Sequence, residues 1–150
     1  VSGGARRSAL AGVLMGVGLA AFLDEVVFHQ LLHWHHFYDG AGPDAGLVSD
    51  GFFHAAGWIA VVAGLFTYAD LQRRGETVRR PLVGGVLAGW GGFQVYDGLV
   101  QHKLLGLHQI RYGVDLAAYD VAWNTAGGIG LVVGLLLLTR PARDRVTGTA

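Results

Sequence analysis

Polar and charged positions gather at a few points along this chain and leave four long apolar runs between them. The runs cover roughly 8–37, 49–71, 81–107 and 116–139. Each reaches the ~20 residues that an α-helix needs to cross ~30 Å of hydrocarbon. In lipid only a helix or a closed barrel satisfies its own backbone, and these runs are too long for barrel strands. The pattern therefore predicts an all-α integral membrane protein, a four-helix bundle forming one transmembrane domain over 1–150.

Composition agrees with that reading. Of the 150 residues 52% are hydrophobic and only 15% charged, against ~25% charged in an ordinary soluble domain. Mean hydropathy is +0.42. Net charge is zero, so no basic surface offers itself to nucleic acid, and the lipid bilayer is the expected partner. A membrane protein partner or a second copy of the chain is compatible with the same pattern. Without cysteine, disulfides, thiolate metal sites and cysteine nucleophiles are excluded together.

The basic residues are distributed unevenly. Arg6 and Arg7 precede the first run, Arg73, Arg74, Arg79 and Arg80 separate the second from the third, and Arg140, Arg143 and Arg145 follow the fourth. The opposite side holds only Lys103 and Arg111, and the first hairpin (39–44) carries acid without base. Nine against two is a positive-inside signal that places both termini in the cytoplasm. The Arg6-Arg7 pair before an apolar run also fits the outline of a secretory signal, but the run continues beyond any workable cleavage site.

Sliding the sequence by 73 positions superposes the first run on the third, matching Gly12/Gly85, Gly16/Gly89, Asp24/Asp97, His29/His102 and His35/His108 among others. A shift of 70 superposes the second on the fourth, matching Asp50/Asp120, Gly57/Gly127 and Gly64/Gly134, with His54 opposite Asn124. Apolar coincidences between membrane helices mean little. A doubled Asp-x4-His-x5-His means more, because these residue types are scarce in lipid. The chain thus reads as two tandem two-helix repeats, about 8–72 and 81–140, pointing the same way about a pseudo-two-fold axis along the membrane normal. Gly12-x3-Gly16, Gly85-x3-Gly89 and Gly130-x3-Gly134 suit close helix packing, and equally a flat cofactor.

All seven histidines fall towards the end away from the arginines. Counted at about 1.5 Å per residue, His29, His54, His102 and Asn124 lie roughly 24–33 Å from the inner boundary, and His33, His35, His36 and His108 lie further out. At 100° per residue Glu25, His29, His33 and His36 share one helix face, and Asp24 and His35 share another. His29 and His33, spaced i and i+4, can reach one metal ion as zinc-binding helices do. Asp50 and His54 have the same spacing.

This spacing makes His29, His33, His54 and His102 the expected metal ligands. Asp24, Asp50, Asp97, Asp120, Asn124, His35 and His108 become supporting or bridging groups, since carboxylates orient metal-bound imidazoles. Nitrogen and oxygen donors without sulfur suit copper, zinc or iron. The same residues also fit roles without a metal. His33, His35 and His36, beside Trp34 and Tyr38, could form an interfacial belt, and the rest could serve plain interhelical hydrogen bonding. Haem b with His29 and His102 as axial pair, a proton or ion pathway, and a structural assembly subunit are compatible with the pattern too. No phosphate loop, nucleophile elbow or zinc-protease motif occurs, and Ser2, Ser8 and Ser49 lack partners for catalysis; the residues identify no enzyme reaction.

The stretches 24–30, 31–36, 49–54, 96–98, 102, 107–111 and 119–124 together resemble a family of small bacterial membrane proteins of unknown function. Glu25 departs from it, standing where the family has glycine, as at Gly98. The resemblance implies four helices and a membrane, and a neighbourhood of factors assembling copper-containing terminal oxidases, which favours copper. A weaker similarity links His29-x3-His33 and His33-x-His35-His36 to the histidine boxes of membrane desaturases, which need more histidines and lie on the cytoplasmic side.

Overall fold

The computed structural model describes residues 3–140; Arg143, Arg145 and Ser2 lie outside the described residues. It is all-helical: α1 (Gly3–Asp24), α2 (Pro43–Arg73), α3 (Arg79–Tyr96) and α4 (Leu116–Thr139). α1 runs on into a π-helical segment, Glu25–Leu31, and α3 into another, Asp97–Leu105. Three spans, Gly3–Leu31, Pro43–Arg73 and Leu116–Thr139, are long and apolar enough to cross a membrane. α3 falls short of that hydropathy for a compositional reason. Its 18 residues include Arg79, Arg80, Gln94 and five glycines, and the glycines face α1 and α4, on which it packs.

α1 and α3 form the central pair, with α2 against α1 and α4 against α3. Glycine sets how near they come. A Cβ at Gly12 would meet Leu82 O at 2.2 Å, and one at Gly85 would meet Ala9 O at 2.3 Å. Gly16 faces Val86 O and Gly89 faces Val13 O in the same reciprocal way. The flanking helices repeat the device, Gly18 against Gly57 O and Gly91 against Gly127 O. Backbone fills every one of these faces, so the glycines serve close packing and leave no slot for a flat cofactor. Large side chains such as Phe52, Ile59, Phe66, Val121 and Ile129 are exposed, as suits a surface meeting lipid.

The arginine end is tied by ion pairs. Arg7 reaches Asp70 at 2.6 Å, and Arg73 and Arg74 close on the same carboxylate at 3.2 and 3.0 Å. Being solvent-accessible at the helix ends, each is worth about 0–1 kcal/mol. Buried Ser8 accepts from Val78 N at 3.0 Å and so anchors the turn between α2 and α3.

Candidate metal centre

The two π-helical segments place the chemistry. Backbone bonds reach back five residues or more: Leu32 N donates to Val27 O, Trp34 N to Phe28 O and Leu107 N to Gln101 O. A turn wider than α brings residues five apart together. Asp24 and His29, separated by about 140° on an α-helix, meet here with Oδ2 and Nε2 3.6 Å apart. Asp97 Oδ2 stands 3.0 Å from His102 Nε2. The Asp-x4-His spacing is thus a π-helical spacing, and the π segments account for the motif.

The loops that follow fold back over the centre and bind each other reciprocally. His35 Nδ1 donates to Ile110 O at 2.9 Å, and His108 Nδ1 donates to Phe37 O at 2.8 Å. Asp39 N adds a bond to Leu107 O. Tyr112 also lies beside Asp39; partial burial, then the neighbouring carboxylate, raise its phenol pKa. Fixing Nδ1 as donor leaves Nε2 of His35 and of His108 with a lone pair directed inward.

Four imidazoles consequently pack ring to ring. Centroids are 4.5 Å apart for His29 and His35, 4.6 Å for His35 and His108, and 4.7 Å for His108 and His102. His35 and His108 are stacked, with 6° between their planes. All four are buried, as are Asp24 and Asp97. The donor atoms fall into two groups, Asp24–His29–His35 and Asp97–His102–His108, each within 4.8 Å. Ligand atoms of a tetrahedral ion at about 2.0–2.1 Å stand roughly 3.3 Å from one another. The carboxylate–imidazole separations of 3.0 to 3.6 Å bracket that value.

Two further facts favour a cation. Nε2 of all four histidines, Asp24 Oδ1 and Asp97 Oδ2 are buried without a hydrogen-bond partner, although buried polar atoms are nearly always paired. Four carboxylates, Asp24, Glu25, Asp50 and Asp97, are at most 3% exposed. Among the described residues their ion-pair partners are histidines alone, never lysine or arginine.

A shell of carboxylates and rings supports the first group. His29 Nδ1 meets Glu25 Oε2 at 2.8 Å and Asp50 Oδ1 at 3.0 Å. Asp50 also accepts from Phe37 N and pairs with His36 Nδ1, both at 2.7 Å. Glu25, His29 and Asp50 form a third group able to hold an ion. Asp50, however, already spends its oxygens on the loop and on His36, so it suits an orienting role. Phe53 stacks on His29 and Trp123 packs against His102, at 5.8 and 6.2 Å; both keep water from the rings.

The residues singled out by sequence spacing divide accordingly. His29, His102, Asp24 and Asp97 come together with His35 and His108, which α-helical spacing alone puts in a supporting role. The doubled motif carries their signal, and an α-helical periodicity hides it. His33 does not join them. It is exposed and adopts φ 49°, terminating the helix in a left-handed turn, so it shares no face with His29. His54 stands on α2 accepting from Trp58 Nε1 at 3.1 Å, against Phe22. Asp120 pairs with Lys103 at 2.7 Å, and Asn124 bonds Asp120 O one turn back. His35 and His108 occupy the space between His29 and His102, so a porphyrin does not fit an axial pair there.

No curated protein and no solved structure matches the chain. The family described as "Predicted membrane protein (DUF2243)", of unknown function, matches residues 11–141, and the chain belongs to that family.

Proposed function

We propose that this protein binds two metal ions, one in each Asp–His–His group, near the outer face of the bacterial cytoplasmic membrane. The observation that carries the reading is the convergence of six buried donor atoms that make no hydrogen bond, among carboxylates whose ion-pair partners in the described residues are histidines alone. A purely structural polar lock would pair these atoms internally, since a half-satisfied buried network destabilises a fold. Two divalent ions would balance the four carboxylates. Imidazole and carboxylate donors suit copper(II), zinc or iron. Copper(I) would find no sulfur ligand here: there is no cysteine and Met15, the only methionine, packs on Gly64.

The tandem-repeat reading belongs to the same proposal. The reciprocal contacts of Gly12 with Gly85's helix, and of His35 with His108's loop, support two equivalent halves about an axis along the membrane normal, within one domain. The arginines at one end and the histidines at the other support cytoplasmic termini and an outward-facing centre. A role in metal handling at that face fits this placement; copper and redox assembly rest on the family resemblance alone. A conduction path receives no support, since backbone contacts close the α1–α3 seam below the cluster. The lipid bilayer surrounds the bundle, and a partner protein or second copy would meet its exposed apolar sides.

The test is elemental analysis of the detergent-purified full chain beside its variants. Two equivalents are expected. His35→Ala and His108→Ala should each lose close to one, while His33→Ala and His54→Ala lose none. A metal-free protein with its helices intact, after reconstitution with copper, zinc and iron salts, overturns the reading.

A further inference from the structure

The two halves of the centre are not chemically equal, and we infer that they fill in order, the Asp24–His29–His35 group first and tightly, the Asp97–His102–His108 group second and weakly. The inference rests on the metal reading above and concerns what differs between the two groups.

Behind His29 stand two carboxylates. Nδ1 hydrogen-bonds to Asp50 Oδ1 at 3.0 Å, and Glu25 Oε2 lies 2.8 Å from the same nitrogen as a second negative charge, so Nε2 becomes a stronger donor to a metal. His102 has no such support. The position of Glu25 is taken by Gly98, against which lies Asn124 rather than an acid. Asp120, the match of Asp50, is held by Lys103 at 2.7 Å, and Lys103 is pinned further by Gln109 at 2.9 Å. His102 Nδ1 is left buried without a partner.

Charge reinforces ligand strength. The first group and its shell carry three carboxylates, Asp24, Glu25 and Asp50, without lysine or arginine. The second carries Asp97, while Asp120 is neutralised by the ammonium of Lys103. Counted with every carboxylate ionised and every imidazole neutral, the formal charge is −3 in one half and −1 in the other, where interactions are poorly screened. Loss of an orienting carboxylate alone weakens metal binding about 10–100-fold, so the two affinities should differ by at least that much.

The probe is Co²⁺, titrated into the metal-stripped full chain in detergent and followed by its d–d absorption. Wild type should show two steps separated by about tenfold or more. Glu25→Gln should weaken the first step about 10–100-fold and leave the second unchanged; Glu25 touches only His29 and Gln30 in hydrogen bonds and ion pairs, so folding should survive. Lys103→Gln, at a partly exposed site, should tighten the second step alone. Two equivalents bound with equal affinity, or both steps shifting alike in Glu25→Gln, overturn the ordered filling and leave the metal site standing. No uptake by wild type overturns both.

Discussion

Substitution of Gly16 by alanine tests the seam on which the centre is built. The new Cβ would stand 2.2 Å from Val86 O and 2.8 Å from Trp90 N, where real Cβ contacts essentially never fall below 3.0 Å. Both obstacles are backbone atoms, so no side chain can swing aside. α1 must withdraw from α3 by roughly 1 Å, a degree of overpacking that costs about 1–3 kcal/mol. Gly→Ala also removes the conformational cost of glycine in a helix, a gain of up to about 1 kcal/mol. Gly128→Ala on α4 isolates that gain, because a Cβ there meets nothing within 4 Å. The two substitutions, identical in chemistry, should therefore shift stability in opposite directions. Unfolding midpoints in one detergent, measured side by side, supply the comparison. α1 and α3 each carry one Asp–His pair, so Gly16→Ala should also reduce metal content relative to Gly128→Ala. Equal stability of the two variants would refute the backbone-to-backbone seam, and with it the positioning of the two groups.

His33→Gly should stabilise the protein by about 1 kcal/mol by relieving the left-handed φ, as Gly106 already does at φ 60°, without changing metal content; loss of metal would make His33 a ligand. His54→Phe should likewise leave the metal content unaltered, which the same elemental analysis checks. Asp50→Asn removes an acceptor shared by His29, His36 and Phe37 N, and should destabilise the fold by about 3 kcal/mol. Unfolding measurements on metal-stripped protein separate that loss from any change in metal affinity.

Much of this was legible in the chain itself. Apolar run lengths determined the helices, because lipid leaves the backbone no other partner. The doubled Asp-x4-His-x5-His pattern marked the residues that gather, because ionisable groups in an apolar setting need a reason to stay. Glycine spacing announced close packing, though only the facing carbonyls at Ala9, Leu82, Val13 and Val86 showed that backbone, not a cofactor, fills the space. What the sequence left open was angular. A periodicity of 3.6 put His33 on the face of His29 and kept Asp24 from it; the π-helical turn brings Asp24 to His29, and the left-handed φ of His33 turns that residue away. That turn is held by tertiary packing and by loops that cross to the opposite half, interactions absent from any local pattern. The same long-range contacts bring His35 onto His108 across 73 positions of chain, and divert Asp120 to Lys103. Residue types were set by the linear order; which of them come together in one group was decided only when the helices and loops packed.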